Sequence, residues 1–235
     1  MIILSVDSAT PVAGVAIIDE NRILAESFLN TGNTHSEQLL PLIQETLKRV
    51  KLSLKDIDGI VVSIGPGSFT GLRIGLATTK SLAQVTNTKL VAIPTLDALA
   101  HNVVGSGTLI CPILNARKSE VYTALYEESG GEINRISEYE AIKPLALCER
   151  LRNLDQPVTF LGDGVFEYRN LITSQLEGQA KWAPLQNLLP RASALAVLGL
   201  KELKQGNFAD VFTLTPFYLR KSEAEIKWEA KRCQS

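Results

Sequence analysis

The sequence predicts an α/β fold built from two half-domains, each with the element order βββαβα, spanning residues 1–104 and 105–235. Three observations carry that expectation. Short apolar, β-branched runs alternate with longer stretches whose apolar residues recur at helical spacing, the pattern of strands and helices that share a sheet. A glycine–proline bend, Gly65-Pro66-Gly67, separates an apolar strand from a helix. After the linker Gly105-Ser106-Gly107 the pattern begins again.

Ile2 to Val6, Gly14 to Ile18 and Arg22 to Leu29 read as three antiparallel strands, joined by turns rich in strand breakers at residues 9–12 and 19–21. Thr34-His35-Ser36-Glu37 has the form of a capping box, and Leu39, Leu40, Ile43, Leu47 and Val50 follow at helical spacing. Pro41 is expected to kink this helix or delay its start. Ile57 to Ile64 is a continuous apolar run, as in a strand covered on both faces. A second helix is predicted over about 70–83, then a strand at Lys89 to Ile93, then a helix opened by Thr95 and running to about Val103. This is the order of a ribonuclease H-like half-domain.

In the second half, strands are expected at Leu109 to Leu114, Glu120 to Tyr126 and Ile133 to Tyr139, followed by a helix over 144–154 and a strand at Val158 to Leu161. The stretch after Gly162-Asp163-Gly164 has no clear period, residues 191–203 form an Ala/Leu-rich helix, and the charged residues from Ser222 are a frayed helix or a tail. A duplicated βββαβα unit is the architecture of the actin/Hsp70 (ASKHA) class, although no residue-level repeat links the halves.

At 235 residues and 45% hydrophobic, the chain is large enough to bury a core without disulfides or a structural metal. Its longest apolar runs fall far short of the roughly 18 residues a membrane span needs, and the apolar start meets Asp7 within one strand. An intracellular, cytoplasmic protein with no membrane contact is expected. Cys111, Cys148 and Cys233 have no metal-ligand spacing and read as reduced thiols, the first two in the core. His35 and His101 stand alone, so neither a two-histidine metal site nor a Ser/His/Asp arrangement is expected, and each histidine reads as a surface or capping residue. The net charge of -1 excludes strong unaided binding to nucleic acid, which calls for a basic surplus.

Two stretches stand out as candidate sites. Asp7-Ser8-Ala9-Thr10 and the loop at Gly65 and Gly67 lie where an ASKHA protein holds the metal and phosphates of a nucleotide, with free amides at a helix N-terminus. The alternative is that Asp7 and Thr10 only satisfy turn backbone, and that the glycines make a sharp reversal. On the next helix Gly71, Gly75 and Thr79, flanked by Leu72 and Leu76, leave one face almost flat. That face either packs inside the chain or, with Leu39, Leu40, Ile43 and Leu47 of the preceding helix, meets a partner helix pair. Arg117 and Glu120, on a turn between strands, read as an exposed salt bridge.

Gly65-Pro-Gly-Ser-Phe-Thr-Gly-Leu-Arg-Ile-Gly75, with His35-Ser-Glu-Gln-Leu-Leu-Pro41, Asn115-Ala-Arg117, Glu120-Val-Tyr122 and Pro216-Phe-Tyr-Leu-Arg220, resembles the TsaB (YeaZ) family over nearly the whole chain. The resemblance implies an ASKHA fold and a role in forming threonylcarbamoyl-adenosine beside the anticodon of tRNAs. It implies a subunit without catalytic residues, metal or cofactor, which pairs with the catalytic paralogue TsaD through the two helices of the first half and works with the ATPase TsaE. tRNA would then be met only indirectly, and a homodimer would form when the paralogue is missing. The paralogue's His-Met-Glu-Gly-His metal motif falls at Thr95-Leu-Asp-Ala-Leu99, where both histidines are absent, and Asn115 stands where the family often has Asp. A stand-alone ASKHA ATPase or phosphotransferase using Asp7 and the glycine loop is the competing expectation. A protease reading finds no nucleophile, base or metal site.

Overall fold

The structure, a computed structural model, describes residues 1–31 and 35–220. The expected capping residue Thr34, the tail from Ser222 and Cys233 lie outside the described residues.

The first sheet has the order β3-β2-β1-β4-β5. It is built from β1 (Ile3–Asp7), β2 (Ala13–Ile18), β3 (Ile23–Leu29), β4 (Gly59–Ser63) and β5 (Lys89–Ile93), with β1, β2 and β3 antiparallel and β1, β4 and β5 parallel. Every residue of β1, β2 and β4 is buried, as two-sided covering requires. One face is covered by α1 (His35–Arg49) and α2 (Phe69–Thr86), whose Leu39, Ile43, Leu47 and Leu76 join Leu4, Val6 and Val62 in a single core. Pro41 sits in the second turn of α1, which runs on through it to Arg49.

The second sheet contains β6 (Leu109–Asn115), β7 (Val121–Thr123), β8 (Tyr126–Ser129), β9 (Glu132–Arg135), β10 (Glu140–Ile142), β11 (Val158–Leu161) and β12 (Ala180–Trp182). Its helices are α4 (Pro144–Arg152) and α5 (Gly164–Gln175), the latter filling the stretch that showed no period. The expected strand from Glu120 to Tyr126 is two, β7 and β8. Both keep one register on β6, but at Leu125 the amide turns to the Ser137 hydroxyl (2.8 Å) and the carbonyl accepts from Ile136 (2.8 Å), which takes that residue out of the ladder. The expected strand from Ile133 to Tyr139 likewise ends at Arg135, and β10 begins after Tyr139.

The division at residue 104 needs a larger correction. Between the halves, α3 (Thr95–Ala100) contributes to both cores, and α6 (Ala192–Gln205), assigned to the second half by sequence order, returns to cover the free face of the first sheet. Ile3, Val61, Val91, Leu195, Ala196 and Leu203 form that core. Close approach is made possible by Gly199, where a Cβ would stand 2.1 Å from Val61 Cγ2. Residues 207–220 then run back along the first half: Ala209 bridges Leu90, and Phe217 donates its amide to the Ile64 carbonyl (2.7 Å).

Glu26 of β3 anchors the N-terminus of α6. Its carboxylate accepts from the Ser193 amide and hydroxyl (both 3.0 Å) and from the Arg191 guanidinium, a favourable place for an anion at a helix start. Burial works to raise its pKa, but the Arg191 and Ser193 contacts outweigh burial and hold it below the usual 4.5. A depressed folded pKa means that this stabilisation is complete above pH 4.5 and fades as pH falls through the folded value. Glu26→Gln is therefore expected to cost about 2–3 kcal/mol in urea unfolding at pH 7, and the gap from the parent chain should narrow below pH 4.5. A gap independent of pH would contradict this role.

Candidate functional site

A cleft of about 570 Å³ opens between the two halves, at the carboxyl ends of β1 and β6. Its near wall is the β1–β2 turn and the start of α2, its far wall the β6–β7 turn and Asp163, and its cover the segment from Phe217 to Arg220.

On the near wall the turn reading of Asp7 and Thr10 describes their bonds. Asp7 Oδ1 accepts from the Ala9 amide (2.8 Å) and the Ser63 hydroxyl (2.8 Å), and Thr10 Oγ1 accepts from the Val12 amide (3.2 Å). Asp7 is buried and its Oδ2 has no partner; burial pushes its carboxyl up, against the pull of those two donors. His35 Nε2 donates to the Thr10 carbonyl (2.7 Å). Gly65, at φ +117°, exchanges bonds with Thr95, whose hydroxyl accepts from the Gly65 amide (3.1 Å). Gly67 presses on the Ala9 carbonyl, and the Ser68 amide donates to that carbonyl (2.6 Å). Of the five residues marked for a nucleotide, Thr10 and Gly67 line the cleft, while Asp7, Ser8 and Gly65 lie behind it.

The far wall is strained. Arg117, Lys118 and Ser119 all have left-handed backbones, φ +60°, +52° and +58°, without a glycine among them. Each costs roughly 1–2 kcal/mol, offset in part by Asn115, whose side chain accepts from the Arg117 amide (2.8 Å) and bonds to Glu167. Asp163 Oδ1 accepts from the Asn115 amide (2.9 Å); burial raises the Asp163 carboxyl pKa. This conformation points the Arg117 and Lys118 segment at the cleft. Glu120 does not pair with Arg117 as expected; its carboxylate binds Arg220 (2.7 Å), which also donates to the Ala116 carbonyl.

Arg220 ends a strap across the cleft. Tyr218 stacks on Phe69 (4.2 Å between centroids), Arg73 lies over the same ring (4.2 Å), and Arg73 Nε donates to the Tyr218 hydroxyl (3.0 Å). Sequence singled out Pro216 to Arg220 as a motif but gave it no place, because the contact joins residues about 100 and 150 positions apart.

Three comparisons identify the chain's relatives. A family model described as "TsaD: tRNA N6-adenosine threonylcarbamoyltransferase" matches residues 22–228. The tRNA threonylcarbamoyladenosine biosynthesis protein TsaB of Bacillus subtilis is 34% identical over 97% of this chain and 98% of its own length. The Escherichia coli protein of the same name is 29% identical over 98% of this chain and 100% of its own. This chain belongs to the TsaB (YeaZ) family. YeaZ from Pseudomonas aeruginosa superposes with a TM-score of 0.78 at 23% identity, covering 93% of this chain and 99% of that one, and the shared fold is of the ASKHA class.

In this TsaB-family chain, the expected partner-facing residues need correction. Leu39, Ile43, Leu47, Gly71, Leu72, Gly75, Leu76 and Thr79 are all buried within the chain, and only Leu40 is exposed. The flat stripe exists but faces inward. A Cβ on Gly71 would stand 2.0 Å from the Ser8 carbonyl oxygen, one on Gly75 would stand 2.2 Å from Ser8 Oγ, and Ser8 Oγ donates to the Gly71 carbonyl (2.8 Å). The glycines let α2 lie against the β1–β2 turn. Cys111 and Cys148 are buried, and burial pushes the Cys111 thiol up to about 12. Among the described residues no three His, Cys, Asp or Glu side chains gather as a metal site requires.

Proposed function

We propose that this chain is a non-catalytic subunit of the system that transfers threonylcarbamoyl to N6 of the adenosine beside the anticodon. It acts by docking α1 and α2 on a TsaD-type paralogue, together with a TsaE-type ATPase. The observation that carries this reading is the outer face of α2. Ala77, Ser81 and Val85, spaced i, i+4, i+8, are exposed, Val85 to 86%, and Ile74 and Thr78 are partly exposed beside them. On α1, Leu40 is 46% exposed. Small uncharged side chains on a long helix suit close helix-to-helix packing, in an interface of about 1,200–2,000 Å². The same face would pair two copies of this chain when the paralogue is missing.

The residues at 95–99 support leaving the chemistry to the paralogue. Thr95 is committed to Gly65 and Leu99 to the second-half core, and neither side chain can replace an imidazole on a metal. The net charge of -1 supports leaving most of the tRNA backbone to the partner, in the cytoplasm where the tRNA is modified. No described helix is long and apolar enough to cross a membrane.

The test is a reconstitution with the paralogue, the ATPase, the threonylcarbamoyl-adenylate donor and tRNA, read by nucleoside mass spectrometry. Omitting this chain is expected to abolish the modification. Modification by this chain alone, or full yield without it, would overturn the reading.

A further inference from the structure

Helix α3 belongs to both halves. Leu96 and Leu99 sit in the second-half core, while Ala98 packs with α6 against the first sheet. Thr95 binds the Gly65 backbone in both directions, its amide donating to the Gly65 carbonyl (2.8 Å), and Asn102 just beyond the helix donates to the Asn187 and Leu189 carbonyls (3.1 and 2.8 Å). A joint of this kind would still rotate about the helix unless something off the axis held it. Asp97 holds the second half to the helix, its Oδ1 accepting from both Tyr126 and Tyr139, each at 2.6 Å, while the Lys201–Glu132 and Arg220–Glu120 ion pairs tie the two sides farther out. Both tyrosines belong to the second half. Burial, reinforced by the Asp97 charge, raises both phenol pKa values, so each hydroxyl remains a proton donor at neutral pH. Hydrogen bonds to a carboxylate are shorter and stronger than neutral ones.

We propose that Asp97 is the positioning residue of a hinge between the two halves: by gathering Tyr126 and Tyr139 onto the shared helix, it sets the angle between the two sheets. The same contacts connect the two sides of the joint. Tyr139 meets Phe217 edge-on (5.3 Å), and Phe217 covers the first cleft. Asp97 and Tyr126 line a second cleft of about 910 Å³, which Lys201 and Glu132 bridge by an ion pair (2.7 Å). The Tyr139–Phe217 contact and the two bonds to Asp97 thereby link the linings of the two clefts. The hinge is a property of the chain by itself and does not depend on partner docking.

Spin labels on exposed Lys48 of α1 and Glu149 of α4, each replaced by cysteine in a Cys233→Ser background, report the distance between the halves by pulsed double resonance. Cys111 and Cys148 are buried and stay unlabelled. Asp97→Ala is expected to broaden the distance distribution at least twofold. Tyr139→Phe, which keeps the ring against Phe217 and removes one hydroxyl, should broaden it less. Asp97→Asn keeps an acceptor oxygen in place and should restore a narrow distribution. If Asp97→Ala does not fold, Tyr139→Phe decides the matter. A lowered Tm with an unchanged distribution would make Asp97 an ordinary stabilising contact and overturn the proposal.

Discussion

Gly71→Ala is expected to lower stability by more than about 3 kcal/mol, a drop in Tm of roughly 10 °C for a chain of this size. The added Cβ would stand 2.0 Å from the carbonyl oxygen of Ser8, and backbone cannot turn aside as a side chain can. Either the β1–β2 turn or the start of α2 must shift, and both are tied down by the Ser68 amide to the Ala9 carbonyl. Gly75→Ala has a different remedy, because its Cβ meets the movable Oγ of Ser8 at 2.2 Å. Adding Ser8→Ala should recover most of the loss in Gly75→Ala, less the roughly 1 kcal/mol of the Ser8 hydroxyl bond to Gly71. The same addition should leave Gly71→Ala unrepaired. Thermal unfolding of the two pairs checks this, and a Gly71→Ala protein within 1 °C of the parent would refute the inward packing of the stripe.

Ala77→Arg should do the reverse. Ala77 is two residues beyond Gly75, about 200° around the helix at 100° per residue, and so points away from the sheet. An arginine there stays in water when the chain is alone, and Tm should move by no more than about 1 °C. Against a partner helix it would bring bulk and an unpaired charge into the centre of the interface, where a single substitution commonly costs over 2 kcal/mol. Association with the TsaD-type paralogue, measured by sedimentation or titration, is expected to weaken more than about 30-fold. An unchanged affinity would move the docking surface elsewhere and remove the main support for the proposed function. The pair of experiments separates the two faces of one helix, the inner read by stability and the outer by binding.

Much of the first half was legible from residues alone. The alternation of apolar strands, the helical spacing of Leu39, Ile43 and Leu47, and the break at Gly65 place the eight elements from β1 to α3 within a few residues of where they lie. Asp7 and Thr10 were legible as turn residues, because each accepts from a backbone amide only two positions along the chain, whereas the Ser63 hydroxyl that also binds Asp7 lies 56 positions away and was not legible. The family was legible in the run from Gly65 to Gly75. The cleft was legible only in part: Thr10 and Gly67 were marked, while the left-handed turn at Arg117 to Ser119 was hidden, since no glycine announces it.

What the sequence determined by itself is therefore local: periods of two and of 3.6 residues, and breakers; the expected cap Thr95 instead turns its hydroxyl to the Gly65 amide. Which body covers each apolar face was decided only in the folded chain. A flat stripe at Gly71 and Gly75 says that something comes close, and the tertiary structure supplies Ser8. An apolar helix at residues 192–205 says that it is covered, and the tertiary structure sends it across to the first sheet, where Glu26 and Gly199 hold it. The physical reason is that burial is non-directional and sums over residues far apart in sequence, so periodicity records that a face is buried but not against what.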